Sequence, residues 1–470
     1  MRGALGAGRL AVALARRKTS FATLPAPSSR ALLTEKYYPF AIMANGAPRS
    51  SLAAWLVDPL APTRSGAEEN YRFTGPTSAW LAPVGLGAAL LILSLVGWAI
   101  APKTFFFSYL VGWTFCLTIS LGALYFLFFH HLTKASWHIV VRRIAEHLAW
   151  GFPLLAVLGI PLFAFGMHDL YHWTHAELYT PGSAGYDPII AGKRAYLNTP
   201  FFYARLVLYF GAWTYISHRL YTVSVRHDVR TDYDSPIKLR TVSAWGLPVT
   251  AITTAFASYD LLMSLAPHWF STIFGVYFFA GAAFAVFAVL VLAAALLQKG
   301  GGLLTHAITA EHYHDLGKWM FGFTVFWAYI AFSQYMLYWY GGIPEETVWF
   351  RHRLEHGWGW HSAMLLILHF IVPFVVLLPR WTKRIVPVLS VMAVWFLVMH
   401  WFDLHWVAMP SMGEGTESGY VHGGFHWLNF TTWLGLAGIY FGAVIWRMRR
   451  HPLVPQNDPR LEESLAFENV

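Results

Sequence analysis

Repeated long apolar runs constrain the fold of this chain more than any other feature of its sequence. Each run reaches about 18 residues or more, which is enough for an α-helix to cross a bilayer core of about 30 Å. A transmembrane β-barrel would instead show alternating segments of about ten residues, and the sequence lacks them. Because 56% of the residues are apolar and only 12% are charged, we predict an all-α, polytopic membrane protein.

The apolar runs predict about ten transmembrane helices. The predicted spans are residues 80–101, 105–131, 137–168, 200–218, 241–265, 269–297, 317–340, 358–378, 383–409 and 425–448. Lys and Arg residues concentrate strongly in the loops on the side that holds both termini. By the positive-inside rule, both termini are cytoplasmic in a bacterial inner membrane, and the loop around residue 350 faces outward.

Three regions follow from this topology. Residues 1–75 form a polar cytoplasmic N-terminal segment, 76–450 the ten-helix transmembrane domain, and 451–470 a cytoplasmic tail. The first forty residues have the composition of a targeting leader but lack the apolar core of a secretory signal, and Met43 is an alternative start. The basic residues lie in short loops between spans, so we expect no nucleic-acid partner.

Two predicted spans carry the same pattern near their outer ends. Asp260 precedes Pro267 by seven positions in the fifth span, and Asp403 precedes Pro410 by seven positions in the ninth. This spacing favours a repeated four-helix unit, formed by spans 2–5 and 6–9, with spans one and ten peripheral. Ordinary helix capping and termination would produce the same pattern, so that alternative stays open.

Ionisable residues cluster at two depths of the predicted spans. Side chains of this kind inside a bilayer are costly, so they mark a function or a buried pair. We predict that an outer group and an inner group form the two mouths of a polar path for protons or quinol, with His369 between them. The outer group is Asp169, Asp260, Gln334, Glu345, Glu346, His400 and Asp403, and the inner group is Glu146 and His147.

Each of these residues also has a structural interpretation. The outer residues could be wet interface groups, and the inner ones could form buried ion pairs. For Arg205, in the fourth span, we favour an ion pair that locks spans three and four, with Asp169 or Glu177 as the nearest acids in sequence. The single cysteine, Cys116, excludes an internal disulfide, a cysteine-held iron–sulfur cluster and a thiolate zinc site. We predict that this chain holds no metal.

Three segments resemble a known family. They are SQYMLYWYGGIPEETVWF from residue 333, SYDLLMSLAPHWFSTIFGVYFFAG from residue 258, and HWFDLHWVAMP from residue 400. They resemble the NrfD-like, polysulfide-reductase type membrane subunits of respiratory complexes, and most closely the second quinone-binding membrane subunit of alternative complex III. The similarity extends from about residue 71 to residue 450.

This resemblance implies a subunit of a respiratory quinol:electron-acceptor (cytochrome c) oxidoreductase rather than an enzyme on its own. It implies a role in quinol binding, proton conduction or assembly, with quinone or menaquinone as a non-covalent ligand. The implied partners are a paralogous NrfD-like membrane subunit, a periplasmic iron–sulfur subunit and c-type cytochrome subunits, which carry the clusters and the haem c, and a terminal oxidase is a further implied partner.

Two other functions stay open at this stage. A haem b anchor would need facing histidines at mid-membrane depth, and only His369 is clearly placed there. A stand-alone secondary transporter would favour spans interrupted by Gly or Pro, as at Gly151 and Pro153 in the third span, for which the seventh span has no counterpart.

Overall fold

The computed structural model describes residues 71–229, 235–414, 416 and 419–469, and these residues form an all-α protein without a β-strand. Eight helical segments of this described part are long and apolar enough to cross a membrane, so the chain is a multi-pass helical membrane protein. They are Ser78–Ile100, Pro102–Leu132, Ile139–Phe165, Phe274–Gly300, Ala310–Gly341, Trp358–Leu377, Val386–Gly413 and Trp427–Met448.

In chain order the α-helices are α1 (Ser78–Ile100), α2 (Pro102–Leu132), α3 (Ile139–Ala149), α4 (Phe152–Leu158), α5 (Ile160–Phe165), α6 (Met167–Leu170), α7 (Pro188–Gly192), α8 (Thr199–Val229), α9 (Ser235–Leu261), α10 (Phe274–Gly301), α11 (Ala310–Gly341), α12 (Pro344–His352), α13 (Trp358–Met364), α14 (Val372–Leu377), α15 (Val386–Ala408), α16 (Trp427–Met448) and α17 (Leu461–Leu465). A π-helical turn, Leu365–Ile371, joins α13 to α14.

The predicted fourth and fifth spans correspond to α8 and α9. These helices have 31 and 27 residues, which is ample for a bilayer crossing, but neither is apolar enough to be among the eight segments. They pack on each other, and α9 also packs on α2 and α10. The predicted N-terminal segment 1–75 lies outside the described residues except for 71–75.

The third span is broken into three short helices. The breaks fall at Gly151 and Gly159, and Pro153 and Pro161 follow within two residues. A proline has no amide hydrogen to donate to the preceding turn, which is why it ends or kinks a helix. The seventh span, α11, runs without interruption from Ala310 to Gly341.

Helix α2 lies at the centre of the described helices, and the 18 residues of its most apolar stretch are all buried. It packs against α3, α9, α10, α15 and α16. A glycine at position 122 permits the closest of these approaches, because a Cβ there would clash with the carbonyl oxygen of Ala282 in α10. Small residues at such crossings are the usual way for membrane helices to pack closely.

The loop predicted for residues 345–356 is largely helical. Pro344 begins α12, and Glu345 and Glu346 stand in its first turn, where carboxylates favour the positive end of the helix dipole. The helix ends at a turn in which His356 and Gly357 both adopt positive φ, at 50° and 85°. The prediction failed because a proline at the first helical position looks like a loop residue when read with the two glycines before it.

The C-terminal segment is folded onto the helices rather than extended away from them. Leu453 and Val454 are fully buried, and the amide of Leu453 donates to the carbonyl of Tyr71 at 2.7 Å. Ser464, in α17, donates to the carbonyl of Trp137, and its own carbonyl contacts the ring of His312 at 3.0 Å. Residues 451–469 therefore close one end of the helix assembly.

Candidate functional site

A buried carboxyl group lies near the C-terminal end of α15. Asp403 is only 2% exposed, and two neutral donors contact it. The Tyr277 hydroxyl of α10 donates to Oδ1, and the Trp327 indole of α11 donates to Oδ2 at 3.2 Å. In the described part of the chain no ion pair reaches this carboxylate. Asp403 is therefore a buried acid without a counter-charge among the described residues. Burial of its ionised form is costly, and protonation to the neutral carboxyl group removes that cost.

His400 lies one turn before Asp403 on α15 and extends this group of polar side chains, which we call the Asp403 cluster. Its Nε2 is 2.8 Å from the Thr118 hydroxyl of α2, and its Nδ1 has no partner. Gly281 of α10 lies against both His400 and Asp403. A Cβ at this position would be 3.0 Å from the His400 ring and 4.0 Å from the Asp403 carboxylate. The glycine thus leaves a small space beside His400 and Asp403.

The size of that space limits what it can hold. The cavity lined by Tyr277, Gly281, His400 and Asp403 has a volume of about 10 Å³. A volume near 10 to 15 Å³ is about the minimum for one water molecule. A water molecule, and not a quinol ring, therefore matches the space beside Asp403.

His369 is connected to the Asp403 cluster through an aromatic ring. It lies in the π-helical turn and is fully buried, with neither ring nitrogen partnered. Its ring stacks on Trp327 with a centroid distance of 3.8 Å and on Phe284 at 4.3 Å. Trp327 therefore contacts His369 with its ring face and Asp403 with its N–H. Single π-helical turns inside α-helices are frequent at functional sites.

Arg353 is a buried cation that sequence reasoning missed. It follows α12 and is 1% exposed; it donates to the carbonyls of Trp349 at 2.8 Å and of Val407, one turn beyond Asp403. Its guanidinium lies 3.3 Å from the Trp349 ring centroid, and its Nε has no partner. Gln334, which was predicted, lies two turns outward of Trp327 on α11, is 3% exposed, and also has an unpartnered nitrogen.

The partner predicted for Arg205 is wrong. Arg205 of α8 contacts neither Asp169 nor Glu177; instead it holds Asp260 of α9 in a bidentate pair, with both N–O distances at 2.8 Å. The Tyr209 hydroxyl donates a third hydrogen bond to Asp260 at 2.8 Å. The pair therefore locks α8 to α9, the fourth and fifth predicted spans. Sequence proximity misled the prediction, because the acid comes from the opposite helix of the hairpin.

Glu146 lies in a separate network of buried ion pairs. Its carboxylate is 3.4 Å from Arg142 and 3.0 Å from Arg143. Arg142 also pairs with Asp458 of the C-terminal segment at 2.7 Å, and Arg143 with Asp228 of α8 at 2.9 Å. This charge-compensated arrangement joins α3 to α8 and to the folded C-terminal segment. It gives Glu146 a structural role at this end of the molecule.

The remaining predicted residues are spread over three places. His147 is fully buried beside Tyr221, with neither ring nitrogen partnered. Glu345 is exposed and Glu346 half-buried at the start of α12. Asp169 lines a polar surface cavity of about 220 Å³, together with several histidines, Lys103, Glu177 and Glu414. None of these residues contacts the Asp403 cluster in the described part of the chain.

The polar surface cavity contains titratable groups outside the spans. Burial, the neighbouring His175 and His268, and Lys103 lower the pKa of His172, which Asp187 only partly offsets. Burial raises the pKa of Glu414, although His268, Arg353 and Lys103 oppose that shift. These directions favour the neutral forms of both groups at the cavity mouth.

A larger cavity lies elsewhere in the described part of the chain. It has a volume of about 720 Å³ and is lined mainly by apolar residues of α10 and α16 and by residues 72–76. It contains no histidine or carboxylate among its lining residues, so size alone does not identify the chemically active region. No group of three or more His, Cys, Asp or Glu side chains in the described residues is placed to hold a metal ion.

Comparison with known proteins returned no relative. No protein-family model matches the sequence, and no curated protein matches it either. The function is therefore argued from the geometry described above together with the resemblance of the three segments.

Proposed function

We propose that this chain is an integral membrane subunit of a respiratory quinol:electron-acceptor oxidoreductase of the alternative complex III type, and that it conducts protons. The observation that carries this proposal is Asp403, a buried carboxyl group held by two neutral donors with no counter-ion among the described residues. A carboxyl group in such a setting is suited to taking up and releasing a proton.

The groups next to Asp403 supply the next positions for a proton. His400 has one ring nitrogen free, and the space beside it admits one water molecule. His369 has both nitrogens free and stacks on the same tryptophan that binds Asp403. The proton-handling part of the proposed path is thus Asp403 and His400, and His369 adjoins them through the face of the Trp327 ring without a hydrogen bond. Asp260 and Glu146 are removed from it, since each is held by arginine.

The proposed membrane topology of this chain follows the predicted repeat. Ten helices cross the membrane, with α8 and α9 as the fourth and fifth spans, in two four-helix bundles with α1 and α16 peripheral. Both termini lie in the cytoplasm, and Asp403 lies toward the outer side. A charged helix such as α8 is compatible with this arrangement because Arg205 is paired with Asp260 inside the protein.

The partners carry the electrons in this proposal. Quinol oxidation releases two protons and two electrons, and the electrons pass to iron–sulfur clusters and haem c in neighbouring subunits. A quinol ring does not fit the space beside Asp403, so we assign quinol binding to the paralogous NrfD-like subunit. This subunit receives protons and contributes to assembly.

The experiment uses the intact complex in liposomes, driven by a quinol and a soluble electron acceptor, with a pH dye to count protons. Asp403→Asn is expected to lower the proton-to-electron ratio by at least about half while leaving the haem content unchanged, because an amide cannot take up and release a proton at this position. Trp327→Phe, which keeps the ring on His369 and removes the N–H, should give an intermediate ratio. The exposed Glu345→Gln is the matched control and should behave as the wild type.

A normal ratio in Asp403→Asn would refute the proton role. Isolation of the protein in quantity without c-type haem or iron–sulfur partners, together with solute transport in liposomes, would refute the respiratory assignment. The broken third span is the observation that favours a transporter, so this co-purification is the deciding measurement.

A further inference from the structure

A second polar region lies at the opposite end of the helices from Asp403, where α8 and α16 end. It is a cavity of about 270 Å³ between these helices and the break after α3. Five of the residues that line it are basic or can become so: Arg226, Arg447 and Arg450, with His218 and His451. No carboxylate is among the lining residues in the described part of the chain.

Arg447 is the central feature of this cavity. It is only 5% exposed, and its guanidinium is held between two aromatic rings, 3.9 Å from the Trp150 centroid and 4.3 Å from the Tyr221 centroid. Its Nε has no hydrogen-bond partner, and no ion pair to Arg447 is found among the described residues. A buried Nε–H without an acceptor is costly, because this donor loses water and gains no hydrogen bond in exchange.

The carboxylates of the neighbouring helices α8 and α3 are already paired with other arginines. Asp228, at the end of α8, is bound by Arg143 at 2.9 Å and 3.2 Å. Glu146 lies between Arg142 and Arg143 at the start of the third span. Among the described residues, these neighbours leave the charge of Arg447 uncompensated. An anion from outside the chain can supply the missing partner.

We propose that this cavity binds a phosphate group, with Arg447 as its buried ligand and Arg226 and Arg450 as ligands at the rim. Guanidinium groups bind phosphate oxygens through paired, charge-assisted hydrogen bonds. The two rings fix the plane of Arg447, so little freedom is lost when the anion binds. The volume admits one phosphate and its first substituent.

The position in the membrane indicates the source of the phosphate. Arg447 lies in the last turn of an apolar span, and Arg450 and Arg226 are exposed just beyond it. This is the depth of lipid headgroups, and basic pockets between helices at this level bind anionic headgroups. A free phosphate compound has the same chemistry, so the experiment must separate the two sources.

The test measures binding to the purified, delipidated full-length chain in a neutral detergent by titration calorimetry. The probes are dioctanoyl phosphatidylglycerol, the matching phosphatidylcholine, and inorganic phosphate. Wild type should bind phosphatidylglycerol and prefer it to phosphatidylcholine by about tenfold or more. Arg447→Met, which keeps an unbranched apolar stem and removes the guanidinium charge, should lose that preference, and Arg447→Lys should retain most of it.

Arg449→Gln is the matched control, because Arg449 is exposed on the same helix end and does not line the cavity. It should bind as wild type does. If Arg447→Met does not fold, the exposed pair Arg226→Gln and Arg450→Gln provides the second test and should weaken binding several-fold.

Competition decides the source of the phosphate. Phosphatidylglycerol binding that resists millimolar inorganic phosphate supports a lipid headgroup, and displacement by inorganic phosphate supports a soluble phosphate compound. Equal affinity for the two lipids in wild type overturns the proposal. So does unchanged phosphatidylglycerol affinity in a folded Arg447→Met protein.

Discussion

The same substitution at the two aspartates of the predicted repeat should have opposite consequences. Asp260→Asn and Asp403→Asn each replace one carboxylate oxygen by an amide nitrogen at an almost fully buried position. At residue 260 the partner is the Arg205 guanidinium, whereas at residue 403 the partners are the neutral hydroxyl of Tyr277 and the neutral indole of Trp327. We therefore expect a loss of stability in the first variant and a loss of proton transfer in the second.

The magnitude follows from these contacts. In wild type, two nitrogens of the Arg205 guanidinium each lie 2.8 Å from an Asp260 oxygen. Asp260→Asn replaces one of these oxygens by an NH₂ group, which cannot accept a hydrogen bond, and it removes the negative charge that neutralises Arg205. Breaking a buried pair on one side costs about 3 to 5 kcal/mol. Asp403→Asn keeps one acceptor, and the Tyr277 hydroxyl can rotate to accept from the new amide, so the cost should stay below about 1.5 kcal/mol.

The assay is unfolding of the purified chain by SDS in mixed micelles, followed by the loss of helical circular dichroism. The free energies of unfolding of the two variants should differ by at least about 2 kcal/mol. Removing both partners, in Arg205→Met with Asp260→Leu, is the control. It should recover most of the stability, because replacing a whole buried ion pair by apolar residues is often neutral.

Equal destabilisation in the two single variants would refute this reasoning, because it would mean that Asp403 also neutralises a buried cation. A stable Asp260→Asn protein would refute it as well, since Arg205 would then have another partner. The comparison needs no knowledge of the physiological partners, so it separates the structural argument from the functional proposal.

Two further predictions concern the ends of the helices. Glu146→Gln should destabilise the chain by about 1.5 to 3 kcal/mol, because it weakens the contacts of one buried carboxylate with two arginines, while Asp458 and Asp228 still pair with those arginines. The same SDS unfolding measures this loss, and turnover per assembled complex should not change. In the loop before α8, burial acts to raise the pKa of Asp187, but the amide of Ile190 and the His268 ring outweigh it and hold that pKa below its ordinary value. The resulting stability is present above the ordinary carboxyl pKa of about 4 and is lost as the pH falls through the lowered pKa, so wild type should lose thermal stability more steeply than Asp187→Asn between about pH 5 and about pH 3.

Much of the fold could be read from apolar length, because burial in a bilayer requires long helices with internally paired backbones. Apolar length could not predict α12, because Glu345 and Arg351 resemble loop residues. Only the structure shows that Trp349 and Phe350, on the other face of this helix, are buried. Nor could it show that the C-terminal segment is folded back, since that depends on one ion pair and a few buried contacts made across more than 300 residues of sequence.

The candidate site was only partly accessible from sequence. Clustering singled out His400 and Asp403, which the structure shows to be buried and one turn apart on α15, but it could not indicate which neighbours touch them. The chain has 23 tyrosines and 23 tryptophans, so residue type alone could not identify Tyr277 and Trp327 as the partners of Asp403. Arg353 was missed because an arginine in an outer turn is ordinarily exposed, and only the structure shows it covered by the Trp349 ring.

The contrast between Asp260 and Asp403 also explains why the repeat does not by itself assign function. Both aspartates are followed by leucine, and both precede a proline by seven positions, so the pattern sets their depth and the end of the helix. Their chemistry is set by the neighbouring helices, which present an arginine and a tyrosine to Asp260 but a tyrosine and a tryptophan to Asp403. The aspartate bound by arginine joins two helices through a buried ion pair. The aspartate bound only by neutral donors has no such partner among the described residues, so the proposed proton role is assigned to Asp403 in the second half of the chain.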